Sequence, residues 1–169
     1  MEATDYKDML RAADPAKYGT PEAGSSLEEE AIQRFSAFFR DMTVERVRAD
    51  TARVYAEGAI LHDTLKTHTG LADIQAYFEK TAARAKGVQV EILKVVRESP
   101  DYYFIWSMDI TWSAFSKKGQ TTRSFGISHL RFDREGKVTL HHDFWDSASG
   151  FFEHLPLAGP LIRLIKSRV

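Results

Sequence analysis

The chain has no cysteine among its 169 residues. That absence excludes disulfides, thiolate nucleophiles and cysteine-ligated zinc, and it fits a cytoplasmic protein. No apolar run approaches the roughly 18 residues of a membrane-spanning helix. The N-terminus carries acidic residues early and no apolar core, so it does not read as a signal peptide. Charge of one sign is missing too: 23 basic residues face 24 acidic ones, for a net charge of −1. Nucleic acid selects basic faces, so no nucleic-acid partner is expected. Lys117-Lys118 is the only adjacent lysine pair, and it falls in an expected hairpin turn. No G-x-S-x-G occurs, which removes the usual support for a serine-nucleophile triad. What remains is ordinary: 43% apolar and 28% charged residues suit one globular domain.

Residues 1–24 are polar and broken by Pro15, Gly19, Pro21 and Gly24. They read as an N-terminal arm, although Tyr6 to Ala13 has the length of two helical turns. Order begins at Ser26. Ser26 and Glu29 match a capping box, and Glu28 to Glu30 lie near the positive end of a helix. Ile32, Phe35, Phe38, Phe39 and Met42 follow at helical spacing. Thr43 caps a second helix carrying Val44, Val47, Val54 and Tyr55, which Gly58 stops. Ala59 to Asp63 reads as a short strand, and Thr64 to Thr69 as a loop or edge strand. Gly70 opens a third helix with Leu71, Ile74, Tyr77 and Phe78 on one face, ending at Gly87. Only strands follow. Val88 to Arg97 alternates, Ser99-Pro100-Asp101 turns, and Tyr102 to Phe115 returns with Trp106, Met108, Ile110 and Trp112 on one face. That aromatic stripe reads as core. Ser116 to Gln120 leads onward.

Thr121 to Asp146 then reads as two strands joined at Asp133-Arg134-Glu135-Gly136, where Gly accepts the turn conformation that side chains resist. Both arms alternate, so each has two distinct faces. His141, Asp143 and Trp145 share one face, and His142, Phe144 and Asp146 the other. An imidazole, a carboxylate and an indole in a row suit a pocket better than a core. A bulge in the turn would exchange the two sets. The outer face carries Phe125, Ile127 and Phe144, too apolar for full exposure. His142 and His129 are expected to face outward, toward solvent or an interface. The whole is an α+β pattern, with Val88 to Asp146 in one curved antiparallel sheet around the helices.

The tail runs from Phe151-Phe152 through Leu155-Pro156-Leu157 and Gly159-Pro160 to an amphipathic stretch, Leu161 to Val169. Docking of Phe151, Phe152, Leu161 and Ile165 on the domain or a partner is the expected reading. Weak membrane contact through this C-terminal helix is the alternative.

Two motifs carry a resemblance. Val54-Tyr55-Ala56-Glu57-Gly58-Ala59-Ile60-Leu61-His62-Asp63 precedes Gly70 and Ile74. Arg131-Phe132-Asp133-Arg134-Glu135-Gly136-Lys137-Val138 runs on to Phe144-Trp145. In their order and spacing they resemble the nuclear-transport-factor-2-like superfamily, particularly its SnoaL-like and ketosteroid-isomerase-like branch, over about Leu27 to Ser149. The resemblance implies a cone-shaped, curved antiparallel sheet wrapped around three helices, here with an extra C-terminal helix. It divides the chain into an arm (1–24), a pocket domain (25–149) and an extension (150–169). It also implies dimerisation through the outer sheet face, so a homodimer is expected. Superfamily members include isomerases, cyclases, dehydratases, hydrolases and non-catalytic binders, so fold alone does not give function. By the isomerase pattern, the proton-shuttling carboxylate falls on Asp63. The oxyanion-binding tyrosine falls near Phe39, and its aspartic partner on Ser128. Neither replacement has the same chemistry, which argues against steroid isomerisation by the usual machinery.

The candidate catalytic residues are therefore Asp63, His141 and Asp143, with His62, Phe39, Ser128 and Trp145 as candidate ligand contacts. A carboxylate in such a pocket can act as general base, with a histidine assisting proton transfer. The alternative for Asp63 is a loop carboxylate capping a backbone turn. For His141 and Asp143 it is a structural hydrogen-bonded pair. His141 and His142 point to opposite faces and cannot chelate one ion. A metal would need His62, His141 and Asp143 to converge, and neither metal nor cofactor is expected. The ligand is expected to be a small apolar or aromatic compound. Two functions fit: a cofactor-independent isomerase, lyase or hydrolase, or a non-catalytic dimeric binding domain. An open cavity with convergent polar groups favours the first, and a filled interior the second.

Overall fold

The computed structural model describes residues 5–112, 121–150, 152–154 and 158–168. The expected turn at 116–120 with its lysine pair, Phe115, Phe151, Leu155 to Leu157 and the side chain of Trp112 lie outside this set. Seven helices are described: α1 (Tyr6–Ala12), α2 (Pro15–Tyr18), α3 (Ser26–Arg40), α4 (Val44–Val54), α5 (Leu71–Arg84), α6 (Ser147–Gly150) and α7 (Ala158–Lys166). The six described strands are β1 (Tyr55–His62), β2 (Thr67–Thr69), β3 (Ala85–Glu98), β4 (Asp101–Trp112), β5 (Thr121–Phe132) and β6 (Val138–Trp145). They form one curved sheet in the order β2-β1-β6-β5-β4-β3, open at both edges. From β3 to β6 every pairing is antiparallel, as the alternation predicts, while β1 joins β6 in parallel. Helices α3, α4 and α5 close the concave side, where Phe35, Phe38, Ile74 and Phe78 meet Tyr102, Phe104, Trp106 and Leu130.

Local chemistry moves several expected boundaries. The helix cap is Ser25, which accepts from the Glu28 amide at 3.2 Å. Buried Glu28 reaches back to the Gly24 amide at 2.9 Å and accepts from Tyr102 Oη at 2.8 Å. The capping box therefore sits one residue earlier than Ser26 and Glu29. Helix α4 ends at Val54 rather than at Gly58, because Tyr55 is extended and already paired with Val138.

The N-terminal segment is docked. Asp5 caps α1 and Asp14 caps α2, whose first residue is Pro15. Met9 and Ala13 bury against Leu140 on the convex face of the sheet. Arg131 holds the end of α1 by donating to the carbonyls of Leu10 (2.9 Å) and Ala13 (3.4 Å). His129 and His142 do face outward, but both are buried beneath this helix instead of meeting solvent. For the tail, one of the two expected docking surfaces is excluded. Leu161 and Ile165 on α7 are 58% and 51% exposed and do not dock on their own domain. No described helix is long and apolar enough to cross a membrane.

Candidate active site

A cavity of about 290 Å³ lies between the concave sheet and the helices. Its wall is mostly apolar, from Phe35 and Phe39 of α3, Met42 just after it, Tyr77 and Phe78 of α5, Val88, Val90 and Ile92 of β3, and Trp106, Met108 and Ile110 of β4. Asp63, Ser128, His141, Asp143 and Trp145 line the same space.

A bulge sets the parity of β6. Val138 pairs with Phe132 and Leu140 with Arg131, so one strand carries an extra residue at Thr139. Val138 belongs to the interior core and Leu140 to the cluster under α1. Beyond the bulge, His141, Asp143 and Trp145 turn inward, and His142 and Phe144 turn outward. The extra residue lets Val138 and His141 share a face although three residues apart.

The polar atoms form a directed chain. Trp106 Nε1 donates to Ser128 Oγ at 2.9 Å, and Ser128 Oγ donates to Asp143 Oδ1 at 2.5 Å. His141 Nε2 lies 2.9 Å from the same oxygen and 3.2 Å from Ser128 Oγ. On the other side of the ring, His141 Nδ1 lies 2.7 Å from the hydroxyl of fully buried Tyr55. Burial, and then the charge of Asp143, push the Tyr55 phenol well above its ordinary pKa, so it keeps its proton. Phe35 and Phe39 stand edge-on to the His141 ring, at centroid distances of 5.3 and 5.7 Å. Both donors to Asp143 converge on Oδ1, and the carboxylate lines the cavity.

Asp63 is built differently. Its Oδ1 accepts from the amides of Leu65 (2.9 Å) and Lys66 (2.7 Å), an Asx turn that shapes the loop after β1. Its carbonyl accepts from Trp145 Nε1 at 3.0 Å. Its carboxylate also reaches the Tyr77 hydroxyl, whose pKa is well raised, by burial first and by Asp63 second. Thr64, next in the loop, has φ of +76°, a left-handed conformation that a β-branched residue rarely adopts. Such strain costs about 1–3 kcal/mol and clusters at functional sites. Thr64 Oγ1 donates to the Asp143 carbonyl at 2.8 Å, tying this loop to β6.

His62 is not part of the site. In β1 it alternates with cavity-lining Leu61, so it faces the convex side, 2.9 Å from Thr67 Oγ1 and with its ring 4.7 Å from that of His142. His62, His141 and Asp143 therefore do not converge on one point. Among the described residues no group of three or more His, Asp or Glu side chains is disposed to hold a metal ion. The sequence reading missed the hydroxyls of Tyr55 and Tyr77 and the indole N–H of Trp106, since all three sat in stripes read as apolar packing. It also missed His68, buried, stacked on Tyr77 and 3.1 Å from Asp73.

The SnoaL-like domain model matches residues 32–141. No curated protein sequence matches the chain. Solved structures are similar in fold at low identity. One is a protein of ketosteroid isomerase-like fold from Catenulispora acidiphila, crystallised with trimethylamine. It is 18% identical, with a TM-score of 0.61 over 75% of this chain and 94% of that one. An epoxide hydrolase of LEH-like type from M. tuberculosis is 16% identical, with a TM-score of 0.60 over 82% and 97%. A polyketide-cyclase candidate from Acidithiobacillus ferrooxidans is 15% identical, with a TM-score of 0.63 over 79% and 97%.

Proposed function

The chain belongs to the SnoaL-like domain family, and for this member we propose a cofactor-independent enzyme that moves protons on a small apolar or aromatic substrate. The single observation that carries this reading is Asp143. It lines a largely apolar cavity, with its Oδ1 fixed by two donors. A general base needs that combination of fixed geometry and access. The relatives in fold carry names that include polyketide cyclase, epoxide hydrolase and isomerase. All these reactions can use a positioned carboxylate to take a proton from carbon or water.

In this reading Asp143 is the base, and His141 and Ser128 orient it. Tyr77, whose one hydroxyl hydrogen goes to Asp63, stands in the same cavity, where its oxygen can accept from a substrate. The assignment moves the base from Asp63 to Asp143, since Asp63 accepts from two backbone amides and from the Tyr77 hydroxyl as well. Phe39 and Trp145 supply apolar surface.

The test is a panel of enolisable ketones and epoxides incubated with the protein in D2O and read by proton NMR and mass spectrometry. The proposal expects deuterium incorporation or ring opening that Asp143→Asn suppresses. A second reading, a binding domain without catalysis, draws on the mutual satisfaction of Ser128, His141 and Asp143. It expects saturable binding of the same compounds with no turnover.

A further inference from the structure

The five-residue chain around Asp143 has a direction, and its far end is a residue that does not touch the cavity. Trp106 can only donate from its indole nitrogen, so Ser128 Oγ must accept there, and its own hydrogen is free for Asp143. The ionised carboxylate only accepts, so the facing nitrogen of His141, Nε2 at 2.9 Å, must carry a proton. A neutral imidazole protonated at Nε2 has an acceptor at Nδ1. Tyr55 Oη lies 2.7 Å from that atom and is fully buried. It keeps its proton and donates a hydrogen bond to Nδ1. With the opposite tautomer, two lone pairs would face each other across 2.9 Å between Nε2 and Asp143.

We propose that Tyr55 is a positioning residue that fixes His141 in the Nε2–H tautomer, and so holds the Asp143 carboxylate in place at the cavity. Tyr55 occupies the first position of β1, beside the bulge of β6 through its pairing with Val138. Its ring lies nearly parallel to that of His141, at 19° with centroids 6.1 Å apart. Tyr55 itself contacts no ligand. The consequence for turnover rests on the reading of Asp143 as base, whereas the tautomer itself does not.

The two are separable by experiment. Nitrogen-15 NMR of the imidazole rings, with His141 assigned by the signals lost in His141→Gln, reads the tautomer in the unmodified protein. The expected result is a pyrrole-type Nε2 and a pyridine-type Nδ1 at neutral pH. A protonated Nδ1 would overturn the proposal, whatever the protein catalyses. Tyr55→Phe should then move the Nδ1 resonance and bring in the second tautomer. Tyr77→Phe, which removes a phenol that does line the cavity, should leave the His141 signals in place. An unchanged His141 in folded Tyr55→Phe would also overturn the assignment. Where a substrate is in hand, Tyr55→Phe should lower kcat by roughly tenfold, as loss of one hydrogen bond from the group that orients the base does, with KM changed less than kcat. If the tautomer result holds and turnover is absent in the unmodified protein, the positioning stands and the enzyme reading fails.

Discussion

Gly126 lies directly against Trp106: a Cβ at residue 126 would stand 2.4 Å from the indole Cζ2 and 2.8 Å from the Cβ of Trp145. Residue 126 pairs with Trp106 on one side and Trp145 on the other, so both indoles share the space its missing side chain leaves. Gly126→Ala should displace Trp106, stretch its bond to Ser128 and lower stability by about 1–3 kcal/mol, the range for overpacking a filled site. Urea denaturation and tryptophan fluorescence check both effects.

The fold was legible because the patterns that specify it are long. Alternation from Val88 to Trp145 and turn chemistry at Asp133 to Gly136 gave the sheet, and the same alternation put His141, Asp143 and Trp145 together. Short-range signals misled where one residue decides. Ser25 and Ser26 are equally good caps, and nothing local chooses between them. His62 was grouped with Asp63 by adjacency, although alternation from Leu61 already sends it outward. The docking of α1 was harder to see: its N-cap, Asp5, is visible in sequence, but the surface that Met9 and Ala13 cover is made by Leu140, far along the chain. Tyr55 and Tyr77 were hidden because a tyrosine on an apolar face does not reveal where its hydroxyl ends.

The convex face predicts acid sensitivity. Burial, and then nearby His62, lower the pKa of His142 to about 4, with the Asp143 charge acting the other way. Burial also lowers that of His129, against the pull of Asp101. Tyr6 faces both rings from α1. An unfolded histidine takes its proton near pH 6.5. Between there and pH 4 the unfolded chain binds protons that the native state refuses. The stability present above pH 6.5 is therefore lost as pH falls, by roughly 3 kcal/mol for His142 across the full window. Chemical denaturation at pH 7 and pH 5 should show the loss, and His142→Leu should flatten it.

Asp63 should separate structure from chemistry. Asp63→Ala removes the acceptor for two loop amides and should cost about 0.5–2 kcal/mol, as loss of a cap does. Asp63→Asn keeps an acceptor and should melt near the unmodified protein. Thermal denaturation of both variants decides it, and equal destabilisation would remove the capping role.

Ile127 and Phe144 are cross-strand partners, 40% and 46% exposed, and Phe125 beside them is 59% exposed. Helix α1 covers only the neighbouring part of this face. The expectation is a homodimer that covers the rest, and Ile127→Asp should dissociate it. Sedimentation at micromolar concentration reads the mass, and an unmodified protein that stays monomeric there contradicts the expectation.

The most direct test is the rate of deuterium incorporation into an enolisable apolar ketone, compared between the unmodified protein, Asp143→Asn and Asp63→Asn. If Asp143 is the base, exchange should fall by about 10²–10⁴ in Asp143→Asn, the usual contribution of a positioned base. Asp63→Asn should fall by much less. Exchange at the unmodified rate in folded Asp143→Asn, or loss of exchange in Asp63→Asn alone, would contradict the assignment.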